Sequence, residues 1–173
     1  MIKLDISHLS WQLNKSFNIS RGSKNTAETI EVKLTENKFT GIGECVPYGR
    51  YNETLESVQK QILELKDGIE NSEINKKNLD QFINNGAARN AIDCALWDLE
   101  SKKKKETVWS MLDIQKPQEI PSSYTVVLDD PDKMIEDIYD HREFPTIKIK
   151  VDNQNLERIL TNARESLPNT TII

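Results

Sequence analysis

The sequence predicts an α+β domain, made of an antiparallel meander plus helices, followed by an incomplete parallel (β/α) barrel. Strand-like alternation dominates the chain up to residue 44, and helical spacing dominates from there to residue 112. After a linker at 117–121, strand and helix patterns alternate, as in parallel βα units. We therefore set the domain limits at 1–116 and 117–173. A complete barrel needs about 250 residues, so the second domain holds two βα units and the start of a third strand.

The composition narrows the classes of function. The 173 residues carry a formal charge of -5, which argues against a nucleic-acid or anionic-membrane partner. The basic run Lys102–Lys105 follows a helix pattern, where the helix dipole favours cations. No apolar run approaches the ~20 residues of a membrane span, and the N-terminus lacks the apolar core of a signal peptide. We expect a cytoplasmic protein in which Cys45 and Cys94 stay reduced.

The sequence predicts that the chain opens with an antiparallel meander of strands. Alternation of apolar and polar residues predicts strands at 2–6, 17–19, 29–34 and 39–44. The polar segment 20–25 is predicted to be a loop, and 36–38 a hairpin turn. Gly41 and Gly43 lack the third glycine and the strand-to-helix context of a dinucleotide fingerprint. They indicate a bulge or a close approach of two backbones instead.

Helical spacing follows the meander. It predicts helices at 53–67, 78–83, 87–102 and 107–112, with Asn52 as the first N-cap. The third pattern is the strongest, and its apolar face consists of Ala88, Ala91, Ile92, Ala95, Leu96 and Leu99. The small alanines predict tight packing against a neighbour. Asp93 and Asp98 lie five residues apart and share no helix face, so we interpret them as structural or solvated and not as a metal pair.

The second domain alternates strands and helices. Strands are predicted at 122–128, 146–152 and 170–173, and helices from Pro131 and at 154–167.

The strand at 146–152 holds the residues with the most chemical interest. Alternation places Ile147, Ile149 and Val151 on one face, and Lys148 and Lys150 on the other. One interpretation is an amphipathic strand with two solvated lysines. The other is a barrel strand whose ammonium groups point into a polar active site. Like charge and desolvation each lower a lysine pKa, and the resulting neutral amine can remove a carbon-bound proton.

Four stretches together resemble a known family. They are Ser20-Arg21-Gly22-Ser23, the segment 41–48 (GIGECVPY), the segment 86–99 (GAARNAIDCALWDL) and Lys148-Ile149-Lys150. The sequence resembles the enolase superfamily, on its muconate-cycloisomerase-like branch, and most of all the L-Ala-D/L-Glu (dipeptide) epimerases. The resemblance covers the whole chain, but only about the first half of a family member.

The resemblance implies a capping domain, a modified barrel, and abstraction of the proton α to a carboxylate with the enolate stabilised on Mg²⁺. By the same resemblance, Lys150 is an acid/base catalyst. Lys148 beside it contacts the substrate carboxylate, and Thr125 at the end of the first barrel strand touches the substrate. Arg21 binds the side-chain carboxylate of the substrate's Glu, and Tyr48 belongs to a loop that closes over the pocket.

This chain departs from the family in one respect. The acidic metal ligands and the second catalytic lysine of family members lie on later strands, beyond residue 173. We therefore expect the 173-residue chain to be inactive alone. It would be a split-gene product, a remnant of a broken gene or a piece of a longer protein.

Several alternatives stay open. Within the enzyme class they are an N-acylamino acid racemase and an o-succinylbenzoate synthase-like member. Outside it, the chain would be a non-catalytic remnant or an assembly subunit. The expected partners are a small dipeptide substrate and either a second copy or a separately encoded C-terminal half.

Overall fold

The computed structural model describes residues 1–19, 22–153 and 155–173. Its strands are β1 (Lys3–Ile19), β2 (Gly22–Glu36), β3 (Phe39–Cys45), β4 (Ser123–Val126), β5 (Thr146–Ile149) and β6 (Thr171–Ile172). Its helices are α1 (Leu55–Glu64), α2 (Lys66–Glu70), α3 (Ala87–Lys104), α4 (Val108–Met111), α5 (Pro131–Asp140) and α6 (Leu156–Ser166). Single 3₁₀ turns lie at Gly49–Tyr51 and Leu79–Gln81.

The predicted fold class is confirmed. Strands β1, β2 and β3 form one sheet in that order, and β2 pairs with β3 in antiparallel register. Strands β4, β5 and β6 form a second sheet in that order, and both of its pairings are parallel. The chain divides into a first unit, Met1–Trp11 with Thr26–Pro117, and a second unit, Gln12–Asn25 with Gln118–Ile173. The domain limits of 1–116 and 117–173 stay a prediction.

The core of the first unit is formed by its sheet together with α1, α2 and α3. All six apolar residues predicted for the helix face are buried, as are the inward residues of β2. The backbones approach very closely. A Cβ atom added at Gly43 would lie 1.9 Å from the carbonyl oxygen of Ala91, and one at Gly41 would lie 2.2 Å from that of Ala95. The close approach predicted for the two glycines is therefore confirmed. Helix α3 ends on Lys102, Lys103 and Lys104, where cations complement the helix dipole.

The core of the second unit lies between its parallel sheet and the helices α5 and α6. Its buried members are Val126, Met134, Ile138, Ile147, Ile149, Ile159, Ala163 and Leu167. Helix α5 begins as predicted, with Pro131 in its first turn and the Asp130 side chain accepting a hydrogen bond from the amide of Asp132. No helix in the described part of the chain is both long and apolar enough to cross a membrane.

The strand predictions for the first 25 residues were wrong in their limits. The two short strands at 2–6 and 17–19 are parts of one 17-residue strand, β1. Strand β2 begins at Gly22, so most of the predicted loop at 20–25 is strand. Polar side chains bond across this pair, with Ser16 donating to Asn25 at 2.5 Å and Ser23 donating to Asn18 at 2.5 Å. Pairing with a neighbouring strand outweighs the weak local preference of a polar sequence.

Several smaller limits were also wrong, including the following. Helix α1 is capped by Thr54 and not by Asn52, because Thr54 and Ser57 exchange backbone and side-chain hydrogen bonds in a capping box. Asn52 instead adopts a left-handed conformation, with φ 59°. The helix predicted at 78–83 is a single 3₁₀ turn, and strand β5 ends at Ile149 instead of 152.

Candidate active site

The site residues predicted on β4 and β5 lie side by side. In the parallel register Thr125 pairs with Lys148, and Val126 pairs with Ile149. Ile147 and Ile149 are buried in the core of the second unit, whereas Thr125 and Lys148 are half-buried. Because side chains alternate along a strand, Thr125 and Lys148 share the sheet face opposite that core.

Lys150 comes one residue after the end of β5 but remains in the hydrogen-bonded ladder. Its backbone amide donates to the carbonyl oxygen of Val126 at 2.9 Å. The alternation therefore continues to Lys150, which shares the face of Lys148 and is also half-buried. The separation of isoleucines from lysines predicted from the sequence is observed. Both amines belong to the carboxyl end of the parallel strands, the end where barrel active sites lie.

Three hydroxyl residues on the same face were not singled out by sequence reasoning. Ser123 pairs with Thr146, and Thr146 pairs with Thr171, so one hydroxyl row crosses all three strands. This row lies two residues before the row that contains Thr125 and Lys148. Barrel interiors are usually filled with bulky apolar side chains, so this face is unusually polar. The register was needed to find the row, since each hydroxyl alone reads as an ordinary strand residue.

Tyr48 lies in the first unit, beside a cavity of about 530 Å³. The cavity is lined by Cys45, Val46, Tyr48, Tyr51, Glu53, Asn85, Gly86, Ala87 and Asn90. The rings of Tyr48 and Tyr51 meet edge to face, with centroids 5.7 Å apart. Both side chains are exposed. Burial raises the pKa of the Cys45 thiol to about 11, with a smaller contribution from the Glu53 charge.

Glu53 links helix α3 to the loop that contains Tyr48 and Tyr51, a role that the sequence analysis missed. Its carboxylate accepts hydrogen bonds from the amide of Ala87 at 2.7 Å and from that of Tyr48 at 3.1 Å. Gly86 at the N-cap of α3 has no side chain to cap the helix, so Glu53 takes that place. The carboxylate also complements the positive end of the helix dipole.

The remaining predicted site residue, Arg21, lies outside the described residues. Of the others, Thr125, Lys148 and Lys150 lie together in the second unit, and Tyr48 lies in the first. Their roles in binding and catalysis stay predictions.

The described residues do not fit a Mg²⁺ site. Across 1–19, 22–153 and 155–173 there is no group of three or more His, Cys, Asp and Glu side chains arranged to hold a metal ion. Asp98 instead accepts hydrogen bonds from the amide of Ile42 at 2.8 Å and from Lys102 at 2.6 Å. The structural role predicted for Asp98 is confirmed.

The comparison with family profiles decides the family. The N-terminal domain profile of the mandelate racemase / muconate lactonizing enzymes matches residues 1–113. The chain belongs to this enolase-superfamily family. The predicted resemblance is therefore confirmed, and the antiparallel sheet with α3 is the family's N-terminal domain.

Individual members of the enolase superfamily are similar over nearly the whole chain. The L-Ala-D/L-Glu epimerase of Escherichia coli K12 is 33% identical over 166 residues, which are 95% of this chain and 51% of that enzyme. The N-acetyl-D-glutamate racemase of a Pseudoalteromonas species is 33% identical over 147 residues, which are 83% of this chain and 46% of that enzyme. This chain thus spans about half the length of the curated relatives it matches.

A solved structure shows the same architecture. It is an enolase family member from Agrobacterium tumefaciens with homology to dipeptide epimerases, with bound sodium and L-Ala-L-Glu. It superimposes with a TM-score of 0.92 at 35% identity, over 99% of this chain and 52% of that one.

Proposed function

We propose that this chain contributes the capping domain and the first barrel strands of a dipeptide epimerase-type isomerase. The observation that carries the proposal is the lysine pair. Lys148 and Lys150 share one polar face, in register with Thr125, at the carboxyl end of a parallel sheet. Similarity to relatives that epimerise dipeptides and racemise N-acetylglutamate supports the reaction type. A cytoplasmic location is part of the proposal.

The two relatives suggest one substrate class. L-Ala-L-Glu and N-acetylglutamate are both glutamates whose α-amino group is acylated. Each offers a carboxylate next to the carbon that is inverted and a second carboxylate on its side chain. In our proposal Lys148 contacts the first carboxylate and Arg21 binds the second, for which a guanidinium provides two parallel hydrogen bonds. Thr125 touches the substrate beside Lys148, and the Tyr48 loop covers the pocket.

Lys150 performs the proton transfer. In its neutral form its Nζ takes the proton from the α-carbon and becomes an ammonium, while the electron pair of the C–H bond moves onto the carboxylate as an enolate. The fixed charge of Lys148 stabilises the negative charge that develops there. Proton return from the opposite face inverts the carbon and needs a second acid, which the proposal assigns to a C-terminal half.

The same division applies to the metal. The resemblance to the enolase superfamily implies that Mg²⁺ stabilises the enolate, and no cluster of the described residues fits that ion. We therefore assign the metal ligands, like the second acid, to the C-terminal half.

The first test concerns the chain alone. The purified 173-residue chain, with Mg²⁺ added, should not exchange the glutamate α-proton of L-Ala-L-Glu for solvent deuterium. Co-expression with a polypeptide encoded by an adjacent reading frame, if it supplies the missing half, should restore exchange. Epimerisation by the isolated chain would contradict the proposal. A complete assembly that exchanges nothing would favour the non-catalytic alternative.

The second test distinguishes the role of Lys148 from that of Lys150. It uses the completed enzyme, that is, this chain assembled with its C-terminal half. Lys150→Met should lower kcat by about 10²–10⁴-fold, the usual contribution of a positioned acid or base. Lys148→Met should raise KM as well as lower kcat, because Lys148 also binds the carboxylate. The control is Lys133→Met, which removes an exposed ammonium on α5 and should leave both constants unchanged. Retention of full activity by Lys150→Met would refute the assigned role.

An N-acylamino acid racemase is the second candidate, favoured by the 33% identity to the N-acetyl-D-glutamate racemase. The substrates of the two candidate functions differ in one group: the dipeptide carries the free ammonium of its N-terminal alanine, which N-acetylglutamate lacks. The ratio of kcat/KM for L-Ala-L-Glu and N-acetyl-L-glutamate decides between them. A ratio well above one favours the dipeptide, and a ratio below one favours the acyl amino acid.

A further inference from the structure

Asp137 on α5 is the centre of a polar network within the second unit. Lys15 on β1 donates to its Oδ1 at 2.7 Å, and the Tyr124 hydroxyl donates to the same oxygen at 3.1 Å. His141, one turn later on the chain, contacts the backbone oxygen of Asp137 at 2.9 Å and stacks on the Tyr124 ring with centroids 3.6 Å apart. The Asp137 side chain is only 15% exposed. One carboxylate therefore joins β1, β4 and α5.

The segment that carries Lys15 is the far end of the β1–β2 hairpin. We call residues 12–19 and 22–25 the hairpin end; both ranges belong to the second unit, whereas the rest of β1 and β2 belongs to the first. Besides the Lys15–Asp137 pair, a backbone hydrogen bond of 3.3 Å joins the amide of Leu128 to the oxygen of Asn18. These two polar contacts join the hairpin end to the segment that runs from β4 to α5.

The surroundings of Lys15 explain why a cation lies there. A cavity of about 250 Å³ beside it is lined by Lys15, Val127, Asp129, Lys133, Met134, Glu136, Asp137 and Asp140. Four of these residues are acidic, and Lys133 pairs with Asp129. The hydrogen bond to Asp137 raises the pKa of Lys15, so the ammonium form is favoured in this position.

We infer that Asp137 is a positioning residue that holds the hairpin end on the β4–α5 segment through Lys15. This inference rests on the proposed function for its purpose, because the two ranges of the hairpin end flank Arg21 in the sequence, and the proposal assigns the substrate's side-chain carboxylate to Arg21. Tyr124, the other partner of the same carboxylate, precedes Thr125 in the chain. Asp137 thus connects the strand that carries Thr125, a proposed substrate contact, with the hairpin end, whose ranges are next to Arg21 in the sequence.

Hydrogen exchange of the 173-residue chain tests the inference without any substrate. Lys15→Met should make the amides of the hairpin end exchange about fivefold faster, the upper range for loss of a partly exposed ion pair. Asp137→Asn should have a similar or larger effect. In the double variant the effect should be smaller than the sum of the two, because both changes remove one interaction. Lys15→Arg keeps the charge and should keep the protection.

Lys133→Met is the matched control, since it removes an ion pair of the same cavity that does not involve the hairpin. It should leave exchange in the hairpin end unchanged. Equal exchange in wild type, Lys15→Met and Asp137→Asn would overturn the inference, as would fully additive effects or faster exchange throughout the second unit.

In the completed enzyme, Lys15→Met should raise KM for L-Ala-L-Glu more than it lowers kcat. Faster hydrogen exchange with an unchanged KM would show that the Lys15–Asp137 contact holds the hairpin end but does not contribute to substrate binding. The hydrogen-exchange experiment needs no substrate, so it gives the same result whether or not the proposed function is correct. A failure of the inference can therefore be distinguished from a failure of the proposed function.

Discussion

Glu53 illustrates how much a single side chain can contribute from a distance. It lies in the segment before α1, yet its carboxylate accepts hydrogen bonds from Tyr48 and from Ala87, the latter 34 residues along the chain. The sequence around residue 86 contains a glycine at the N-cap, and a glycine has no side chain to cap the helix. The partner could not be identified from local sequence because nothing in a spacing rule connects residues 53 and 87.

The two cysteines support a prediction at the residue scale. Burial raises the pKa of Cys45 to about 11, and it raises that of the more exposed Cys94 as well. Since only the thiolate reacts with iodoacetamide, a raised pKa lowers the reactive fraction at any pH below it. At pH 8 we expect Cys94 to be labelled and Cys45 to be protected, with labelling of Cys45 rising only as the pH approaches 11.

Peptide mass mapping after short labelling times measures both sites in one sample. The Cys94→Ser variant is the control, because it leaves Cys45 as its one thiol in sequence and should be nearly unlabelled at pH 8. Rapid labelling of Cys45 in the folded chain at that pH would contradict the burial described here.

At the scale of elements, the contact between β3 and α3 was predictable in kind from the sequence. The glycines indicated a close approach, and the alanines of the helix pattern indicated a flat, small face. Both are observed: Gly41 and Gly43 lie against the backbone of Ala91 and Ala95. The sequence did not pair the two features, since each glycine and its alanine partner are about 50 residues apart.

Gly43→Ala tests this contact. The added Cβ would lie 1.9 Å from the carbonyl oxygen of Ala91, a backbone atom, so the helix and strand must move apart. Overpacking of this kind costs about 3 kcal/mol of the free energy of unfolding. Urea denaturation should therefore show a lower midpoint with an unchanged m-value.

Gly49→Ala is the matched control for that variant. A Cβ at Gly49 meets no atom within 4 Å, so its denaturation midpoint should stay close to that of the wild type. Ala91→Gly should not rescue Gly43→Ala, because the opposing atom belongs to the backbone. Equal stability of Gly43→Ala and Gly49→Ala would show that the backbones of β3 and α3 do not approach each other closely.

At the scale of the whole molecule, the buried residues in the described part of the chain form two hydrophobic cores that share no member. Ile147→Ala removes a side chain that is fully buried in the second core, and Ile92→Ala does the same in the first. Each truncation should cost about 2–5 kcal/mol. Because the cores are separate, we expect Ile147→Ala to accelerate hydrogen exchange in β4, β5, α5 and α6 more than in β2, β3 and α3.

Ile92→Ala serves as the reciprocal control and should show the opposite pattern. Exchange mapped by mass spectrometry at several times gives the protection of each element in both variants. An equal loss of protection in all elements for both variants would indicate one cooperative core instead of two.

The sequence by itself determined which faces are apolar. The isoleucines of β5 and the six apolar residues of α3 are buried as their spacing predicts, and the lysines fall on the opposite face. Side-chain direction follows from helix and strand periods, which are local properties of the backbone. The family, too, was recognisable from four short stretches and is confirmed by the match over residues 1–113.

Only the tertiary structure decided where elements begin and end and which distant residues meet. Strand β1 runs unbroken through a polar segment because its backbone pairs with β2, and β5 stops at Ile149 although the alternation continues. The hydroxyl row, the Glu53 cap and the Lys15–Asp137 pair each join segments far apart in the chain. Their partners are chosen by register and packing, which depend on the whole fold and leave no periodic signal in the local sequence.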